Sequence, residues 1–278
     1  MAFLDDSETA EQQELSFPGQ KPLNHRRRRG IYLLPSFLTV GNLLCGYYAV
    51  LAVLTGGDLQ LDYAARAIGV AILFDSMDGF VARLTGTGSE FGKNFDSLAD
   101  MVSFGIAPAS LAYAWGVRGI ARDSAAAVHV IEIAWVVSLL FAICCAWRLA
   151  RFNVQGMGGG MRFFIGMPCP AAAGMIAATV HAFKYPLESW HWSVLFFLLV
   201  TSLALLMTSR VRYMSFKNVN WSRRQPSLII VAIGILAWSV VVYSEVVLLA
   251  IAGFYTFAGI TMQIVRWTRR PPPADVQA

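Results

Sequence analysis

Residues 71–103 read AILFDSMDGFVARLTGTGSEFGKNFDSLADMVS. Two helix-length segments flank the loop 84–91 in this stretch, and each segment carries two aspartates beside apolar residues. An ionisable side chain is costly inside a membrane, so its presence in an apolar helix indicates a functional site. The stretch therefore predicts two neighbouring membrane helices whose aspartates serve a function.

The four aspartates are expected to share one pocket. Asp75 and Asp78 lie near the end of the first segment, and Asp96 and Asp100 lie near the start of the second. At about 100° per residue, each pair falls on one face of its helix. Because a short loop joins the two helices in antiparallel order, both faces meet at the same depth. Ser103 and Gly92 share the face of the second pair.

Four close carboxylates repel one another strongly in a low dielectric, so some are protonated or cations neutralise them. Divalent ions take oxygen ligands, and two ions would suit aspartates from two helices. Gly79 and Ala82 leave room for a bulky ligand, and Arg83 can meet a phosphate. Metal-assisted phosphate chemistry is the leading hypothesis. A proton or cation relay in a transporter, and buried salt bridges that only fix helix packing, remain open.

Composition supports a membrane protein. Of the 278 residues 56% are hydrophobic and 14% are charged, against about 25% charged in soluble domains. The mean hydropathy is +0.55. These values exclude a soluble globular enzyme and a disordered chain. The basic residues lie beside apolar segments rather than in a continuous stripe, so membrane lipids and not nucleic acids are the expected partners.

Working outward from the aspartates, we predict an all-α transmembrane bundle of about eight spans. The basic run HRRRR at residues 25–29 places the N-terminus in the cytoplasm. Only four of the 22 Lys and Arg residues then fall outside, namely Arg66, Arg118, Arg122 and Lys184. Both termini are therefore expected to be cytoplasmic. The predicted domains are a tail at 1–30, a membrane domain at 31–268 and a tail at 269–278. The predicted spans are 31–54, 62–85, 95–116, 127–150, 168–183, 191–209, 227–243 and 246–266.

The aspartate stretch resembles the signature of a known family. Eight positions follow the spacing D-x2-D-G-x2-A-R-x8-G-x3-D-x3-D, from Asp75 to Asp100. This pattern is similar, without a departure, to that of the CDP-alcohol phosphatidyltransferases. The stretches 34–43, 100–108, 148–153 and 166–174 further resemble the branch of that family whose acceptor is L-serine.

The resemblance implies a fold, a reaction and a set of roles. The fold is the six-helix family core with two additional helices, usually as a homodimer. An acceptor hydroxyl attacks the β-phosphorus of CDP-diacylglycerol and CMP is released, with two Mg²⁺ or Mn²⁺ ions as cofactors. By similarity, Asp75, Asp78 and Asp96 are metal ligands, and Asp100 is the general base and also lies close to a metal. The CDP moiety contacts Gly79, Ala82, Arg83 and Gly92.

Six further polar residues are candidate site residues, each with an ordinary alternative. Thr39 and Asn42 line the nucleotide pocket or make hydrogen bonds between helices. Arg148 and Arg151 hold the serine carboxylate or the lipid phosphate, or serve as cytoplasmic anchors. The last two, Ser103 and Asn153, assist binding or satisfy the local backbone.

Two other functions remain as alternatives. Within the family, the acceptor could be glycerol 3-phosphate or an inositol phosphate, which Arg148, Arg151 and Arg162 would have to bind. A cation-coupled transporter would need carboxylates or polar residues at mid-membrane on several other spans, where only Glu132 and Glu245 are found, both toward the outer side. The histidines are expected to have no catalytic role, and the four cysteines to be small buried residues. The expected location is a bacterial plasma membrane with a cytoplasmic active site.

Overall fold

A computed structural model describes residues 25–85, 90–118, 120, 125–155, 163–185, 187, 189–209, 212–214, 239 and 242–268. These residues are helical apart from short connections and one ribbon of two three-residue strands, which confirms the all-α prediction. The predicted seventh span, 227–243, lies almost entirely outside the described residues. Each of the other predicted spans coincides with a helix.

The helices differ from the predicted spans mainly at their ends. The first begins at His25 and therefore includes the basic run that the sequence analysis placed before it. The helix of the third predicted span continues through a π-helical segment, Met101–Ile106, into a second α-helical part. The helices are α1 (His25–Thr55), α2 (Asp58–Thr85), α3 (Glu90–Asp100), α4 (Ala107–Arg118), α5 (Ala125–Gln155), α6 (Cys169–Phe183), α7 (Trp190–Thr208) and α8 (Ser244–Thr268).

The helices run between two ends of the bundle: α3 and α4 form one continuous path through the π segment, α7 and α8 run in the same direction, and the other successive helices run in opposite directions. We call the end where α2 finishes and α3 begins the site end, and the opposite end the far end. Strand β1 (Phe163–Ile165) pairs antiparallel with β2 (Arg212–Met214) at the site end, where α5 and α7 finish. Helix α6 packs against α2, α4, α5, α7 and α8, and most of its length is buried.

Small side chains fill the interior, and large apolar ones cover the outside. Buried alanines recur along α1, α2, α4 and α6, which lets the helix backbones approach closely. Large side chains such as Leu44, Trp147 and Phe254 are exposed, as expected for surfaces that face lipid. Three described segments are long and apolar enough to cross a membrane: Phe37–Thr55, Val128–Val154 and Trp190–Thr208.

A polar network ties three helices together at the far end. Asp62 of α2 accepts a 2.5 Å hydrogen bond from the Nδ1 atom of His181 on α6. The Nε2 atom of His181 lies 2.9 Å from the hydroxyl of Ser244 at the start of α8, and Arg66 pairs with the other oxygen of Asp62 at 2.8 Å. Asp62 and His181 are both buried. The network fixes the position of α8 against the core.

The sequence analysis missed Asp62. It considered carboxylates on spans other than the two that carry the signature, where it found Glu132 and Glu245, and it did not consider Asp62 or Asp58 at the start of α2. Asp58 pairs with Arg118, and Glu245 pairs with Lys184, both at the far end. These carboxylates therefore serve ion pairs of the far end, away from the aspartates of residues 75–100.

The π-helical segment has a clear cause in the sequence. Pro108 has no backbone N–H, and its ring clashes with the carbonyl four residues earlier in a regular α-helix. The chain widens here into a π turn, in which the Ala107 N–H bonds the Val102 carbonyl. Segments of this kind frequently occur at functional sites. This one follows directly after Asp100.

Helix α1 approaches the π segment most closely at Gly46. A Cβ atom at Gly46 would lie 2.3 Å from the Ser103 hydroxyl and 2.7 Å from the Ser103 Cα atom. Since the second of these is a backbone atom, no side-chain rotation could relieve the overlap. A glycine is therefore required for this contact between α1 and the π segment.

The first prediction compares two helical glycines. We expect Gly46→Ala to lower the free energy of unfolding by about 1–3 kcal/mol, the usual cost of overpacking. Gly69→Ala is the control, because a Cβ atom at Gly69 meets nothing within 4 Å. Alanine there should leave stability unchanged or raise it slightly. Thermal unfolding in detergent measures both; equal midpoints for the two variants would contradict this account of the α1 contact.

Candidate active site

Three of the four signature aspartates meet between α2 and α3. Asp75 and Asp78 lie one helical turn apart on α2, and Asp96 lies on α3. One carboxylate oxygen from each of the three lies within 4.8 Å of the others. Helical spacing on each segment and the short connection between them bring these oxygens together, as the sequence analysis expected.

The cluster has the properties of a divalent cation site. Asp78 is buried, whereas Asp75 and Asp96 are partly exposed, so the group lies at the edge of the interior. The Oδ1 atom of Asp96 is buried and has no hydrogen-bond partner. A buried carboxylate oxygen without a donor is costly unless a cation satisfies it. Oxygen donors of this kind suit Mg²⁺ or Mn²⁺.

Asp100 lies one turn beyond Asp96 and deeper in the bundle. Its exposed fraction is 8%, and it is not part of the three-carboxylate group. The negative charges of Asp75 and Asp96 nevertheless act on it. Asp100 therefore lies next to the group of three carboxylates without belonging to it. This position is compatible with a role other than metal binding.

Helix α1 supplies hydrogen-bond donors to two of the carboxylates. The Thr39 hydroxyl donates to Oδ2 of Asp78 at 3.2 Å, and the Asn42 amide donates to Oδ1 of Asp100 at 3.0 Å. Thr39 and Asn42 are both buried. The sequence analysis considered two roles for Thr39 and Asn42, and the structure shows one of them, hydrogen bonding between helices. Their contact with CDP stays a prediction.

Ser103 and Asn153 also connect helices. The Ser103 hydroxyl is buried and donates to the backbone carbonyl of Asn42 at 2.9 Å. The Asn153 amide of α5 donates to the Ser97 hydroxyl of α3 at 2.8 Å. The idea that these side chains satisfy their local backbone was wrong, because each partner lies more than 50 residues away. Their contact with substrate stays a prediction.

Arg148 contacts a cysteine at the start of α6. Its Nη1 atom donates to the Cys169 sulfur at 3.5 Å, and its Nε atom is buried without a hydrogen-bond partner. The Cys169 thiol in turn lies 3.8 Å from the carbonyl of Cys145. Cys169 is buried, as expected, but it also contacts a candidate site residue, which the sequence analysis missed. No local motif signals this pairing, because the residues are 21 positions apart.

The remaining candidates lie along the same helices. Gly79 of α2 and Gly92 of α3 are partly exposed near the carboxylates, and Arg151 is partly exposed one turn beyond Arg148. Ala82 and Arg83 belong to α2, but their side chains lie outside the described part of the structure. Arg162 also lies outside the described residues.

The family follows from comparison with known proteins. Residues 32–204 match the family model described as CDP-alcohol phosphatidyltransferase. The chain belongs to the CDP-alcohol phosphatidyltransferase family. The matched region contains the carboxylates of α2 and α3 and the donors of α1, so this membership confirms the resemblance drawn from the signature. Together with the apolar helices, it makes the chain an integral membrane transferase.

Several relatives carry names that specify an acceptor. A CDP-diacylglycerol--serine O-phosphatidyltransferase of Helicobacter pylori is 33% identical over 238 residues, covering 85% of this chain and 92% of that protein. One of Mycobacterium leprae is 31% identical over 223 residues, covering 78% of this chain and 69% of that protein. An archaetidylserine synthase of Methanothermobacter thermautotrophicus is 34% identical over 193 residues, covering 69% of this chain and 73% of that protein.

The second prediction distinguishes the roles of the two buried aspartates of α2, Asp78 in the carboxylate group and Asp62 at the far end. We expect Mn²⁺ to raise the thermal midpoint of the native transferase, because a ligand that binds only the folded state stabilises it. The shift should be absent in Asp78→Asn, which removes a candidate ligand. Asp62→Asn is the matched control: it should lower the midpoint by weakening the far-end network but keep the Mn²⁺ shift. An undiminished Mn²⁺ shift in Asp78→Asn would exclude Asp78 as a ligand.

Proposed function

We propose that this transferase moves a phosphatidyl group from CDP-diacylglycerol to L-serine, giving phosphatidylserine and CMP. The observation that carries the proposal is the group formed by Asp75, Asp78 and Asp96 beside Asp100, within a chain of this family. The names of the relatives specify serine, which supports L-serine as the acceptor.

Asp75, Asp78 and Asp96 are the proposed ligands of two Mg²⁺ or Mn²⁺ ions, with Asp100 close to one of them. Bound divalent ions would neutralise the pyrophosphate of the donor and stabilise the departing CMP. The unpartnered oxygen of Asp96 supports this assignment. Around the ions, the proposed CDP contacts are Gly79, Ala82, Arg83, Gly92 and Thr39. The partly exposed glycines allow close approach of the nucleotide.

Asp100 is the proposed general base. A serine hydroxyl is a weak nucleophile at neutral pH and needs a base within hydrogen-bond reach. The Asp100 carboxylate takes the hydroxyl proton while the serine oxygen forms a bond to the β-phosphorus. The bond from that phosphorus to the bridging oxygen breaks, and CMP leaves with its electron pair. The buried position of Asp100 restricts competition from water.

Arg148 and Arg151 are the proposed contacts for the carboxylate of serine or the phosphate of the lipid. The contact between Arg148 and Cys169 holds one end of the guanidinium, while its Nε atom is buried and without a partner. An anionic substrate group would satisfy this donor. Ser103 and Asn153 support the same region through the helix contacts described above.

The membrane placement is also a proposal: eight spans in a bacterial plasma membrane, both termini and the active site cytoplasmic, and a homodimer. Two observations support the topology. The basic side chains of the far end, Arg66, Arg118 and Lys184, each pair with a carboxylate, which suits the side poor in free positive charge. Strand β2 and the start of α8 lie at opposite ends, as an additional crossing between them requires.

The third prediction tests the reaction. We expect the purified protein to release CMP from CDP-diacylglycerol when both L-serine and Mn²⁺ or Mg²⁺ are present. Glycerol 3-phosphate and inositol phosphate should give no comparable release, because the names of the relatives specify serine as the acceptor. Release with one of these acceptors would keep the family and the aspartates but reject serine.

The fourth prediction concerns the base. Asp100→Asn should reduce transfer by at least about 100-fold, the lower end of the usual contribution of a general base. Binding of CDP-diacylglycerol should persist, since the three-carboxylate group is intact. Transfer and donor binding are measured on the same preparation, with Asp62→Asn as the control for altering a buried aspartate. Normal turnover of Asp100→Asn would reject its role as the base.

A further inference from the structure

The contact between Asn42 and Asp100 joins α1 to the proposed base. Asn42 is fully buried, and its Nδ2 atom lies 3.0 Å from Oδ1 of Asp100. An ionised carboxylate can only accept hydrogen bonds, so the amide nitrogen of Asn42 must face it. One oxygen of Asp100 is thereby held, and the other remains for a proton.

Asn42 is itself held in place by the helix that carries Asp100. The Ser103 hydroxyl, three residues after Asp100, donates to the Asn42 backbone carbonyl at 2.9 Å. Gly46, one turn further along α1, allows the two backbones to approach at Ser103. The two hydrogen bonds form a closed connection between α1 and the segment 100–103. Neither Asn42 nor Asp100 can rotate without breaking it.

Burial separates Asn42 from the substrate. A side chain that contacts a nucleotide or a free amino acid needs some exposed surface; Thr39 keeps an exposed fraction of 5%, whereas that of Asn42 is 0%. Asp75 and Asp96, by contrast, are partly exposed at the edge of the same group. The burial therefore favours an action of Asn42 through Asp100 over the contact with CDP that the sequence suggested.

We infer that Asn42 is a positioning residue for the transfer, which fixes Oδ1 of Asp100 so that Oδ2 is presented to the serine hydroxyl. The inference rests on the proposed role of Asp100 as the base. It predicts that loss of the Asn42 donor slows the chemical step and leaves donor binding intact, because the hydrogen bond of Asn42 is to Asp100, which lies outside the candidate metal group.

Two variants remove the donor in different ways. Asn42→Leu keeps the approximate size and shape without polar atoms, and Asn42→Ala removes the amide together with most of the side chain. For both, we expect kcat to fall by about 10–100-fold while the KM for CDP-diacylglycerol changes by less than about threefold. Ser103→Ala should give a smaller loss of the same kind. Ser138→Ala, which removes a buried hydroxyl without a hydrogen-bond partner, is the control and should keep kcat.

A combined variant distinguishes positioning from general damage to the fold. If Asn42 acts through Asp100, then Asn42→Leu should cause no further loss in an Asp100→Asn background. Multiplying losses in the double variant would overturn the inference. So would a raised KM for CDP-diacylglycerol with unchanged kcat in the single variants, because that pattern marks a nucleotide contact.

Thermal midpoints in detergent verify that each variant is folded, and the comparison rests on Asn42→Ala if Asn42→Leu does not fold. The native protein is assayed first with serine, Mn²⁺ and CDP-diacylglycerol. Absence of serine-dependent CMP release by the native protein would contradict the proposed function itself. Release by the native protein, with kcat unchanged in both Asn42 variants, would contradict only the inference about Asn42.

Discussion

Mutual repulsion among the carboxylates of α2 and α3 is the constraint on which the rest of the site depends. Oxygens of Asp75, Asp78 and Asp96 lie within 4.8 Å of one another. Buried or half-buried negative charges this close together destabilise the fold unless hydrogen-bond donors or cations compensate them. Helix α1 provides part of the compensation through Thr39 and Asn42, each of which donates to one carboxylate. The unpartnered oxygen of Asp96 remains for a cation. The same arrangement that is costly for stability thus creates an affinity for divalent ions.

The two ends of the bundle manage charge in different ways. At the far end, Asp62, Asp58 and Glu245 each pair with a basic side chain or histidine, so the charges neutralise one another within the protein. At the site end, the aspartates of residues 75–100 concentrate negative charge instead. Small residues between the ends allow the helices to pack closely, as Gly46 does against Ser103. Close packing gives a rigid frame for a site whose charges would otherwise separate.

Local patterns were sufficient to predict the helices that the structure describes and the meeting of three of the four signature aspartates. Asp75, Asp78 and Asp96 lie at helical spacing on two segments joined by a short connection, so their meeting follows from helix geometry alone. Contacts between distant residues could not be predicted in this way. Asn42 and Asp100 are 58 residues apart, and His181 and Asp62 are 119 apart. The burial cost that drew attention to the signature aspartates applies equally to Asp62, so that residue could have been found from the sequence. Predicting the π segment would have required considering how Pro108 disrupts the hydrogen bonding of the helical turn before it.

The central claim is that the carboxylates of α2 and α3 hold the divalent ions of a phosphatidyl transfer. The most direct measurement is anomalous diffraction from Mn²⁺ in crystals of the protein grown with CDP-diacylglycerol. The account predicts anomalous peaks among Asp75, Asp78 and Asp96, beside the pyrophosphate of the donor and near Asp100. A bound donor with Mn²⁺ peaks elsewhere, or with no Mn²⁺ at these three carboxylates, would contradict it.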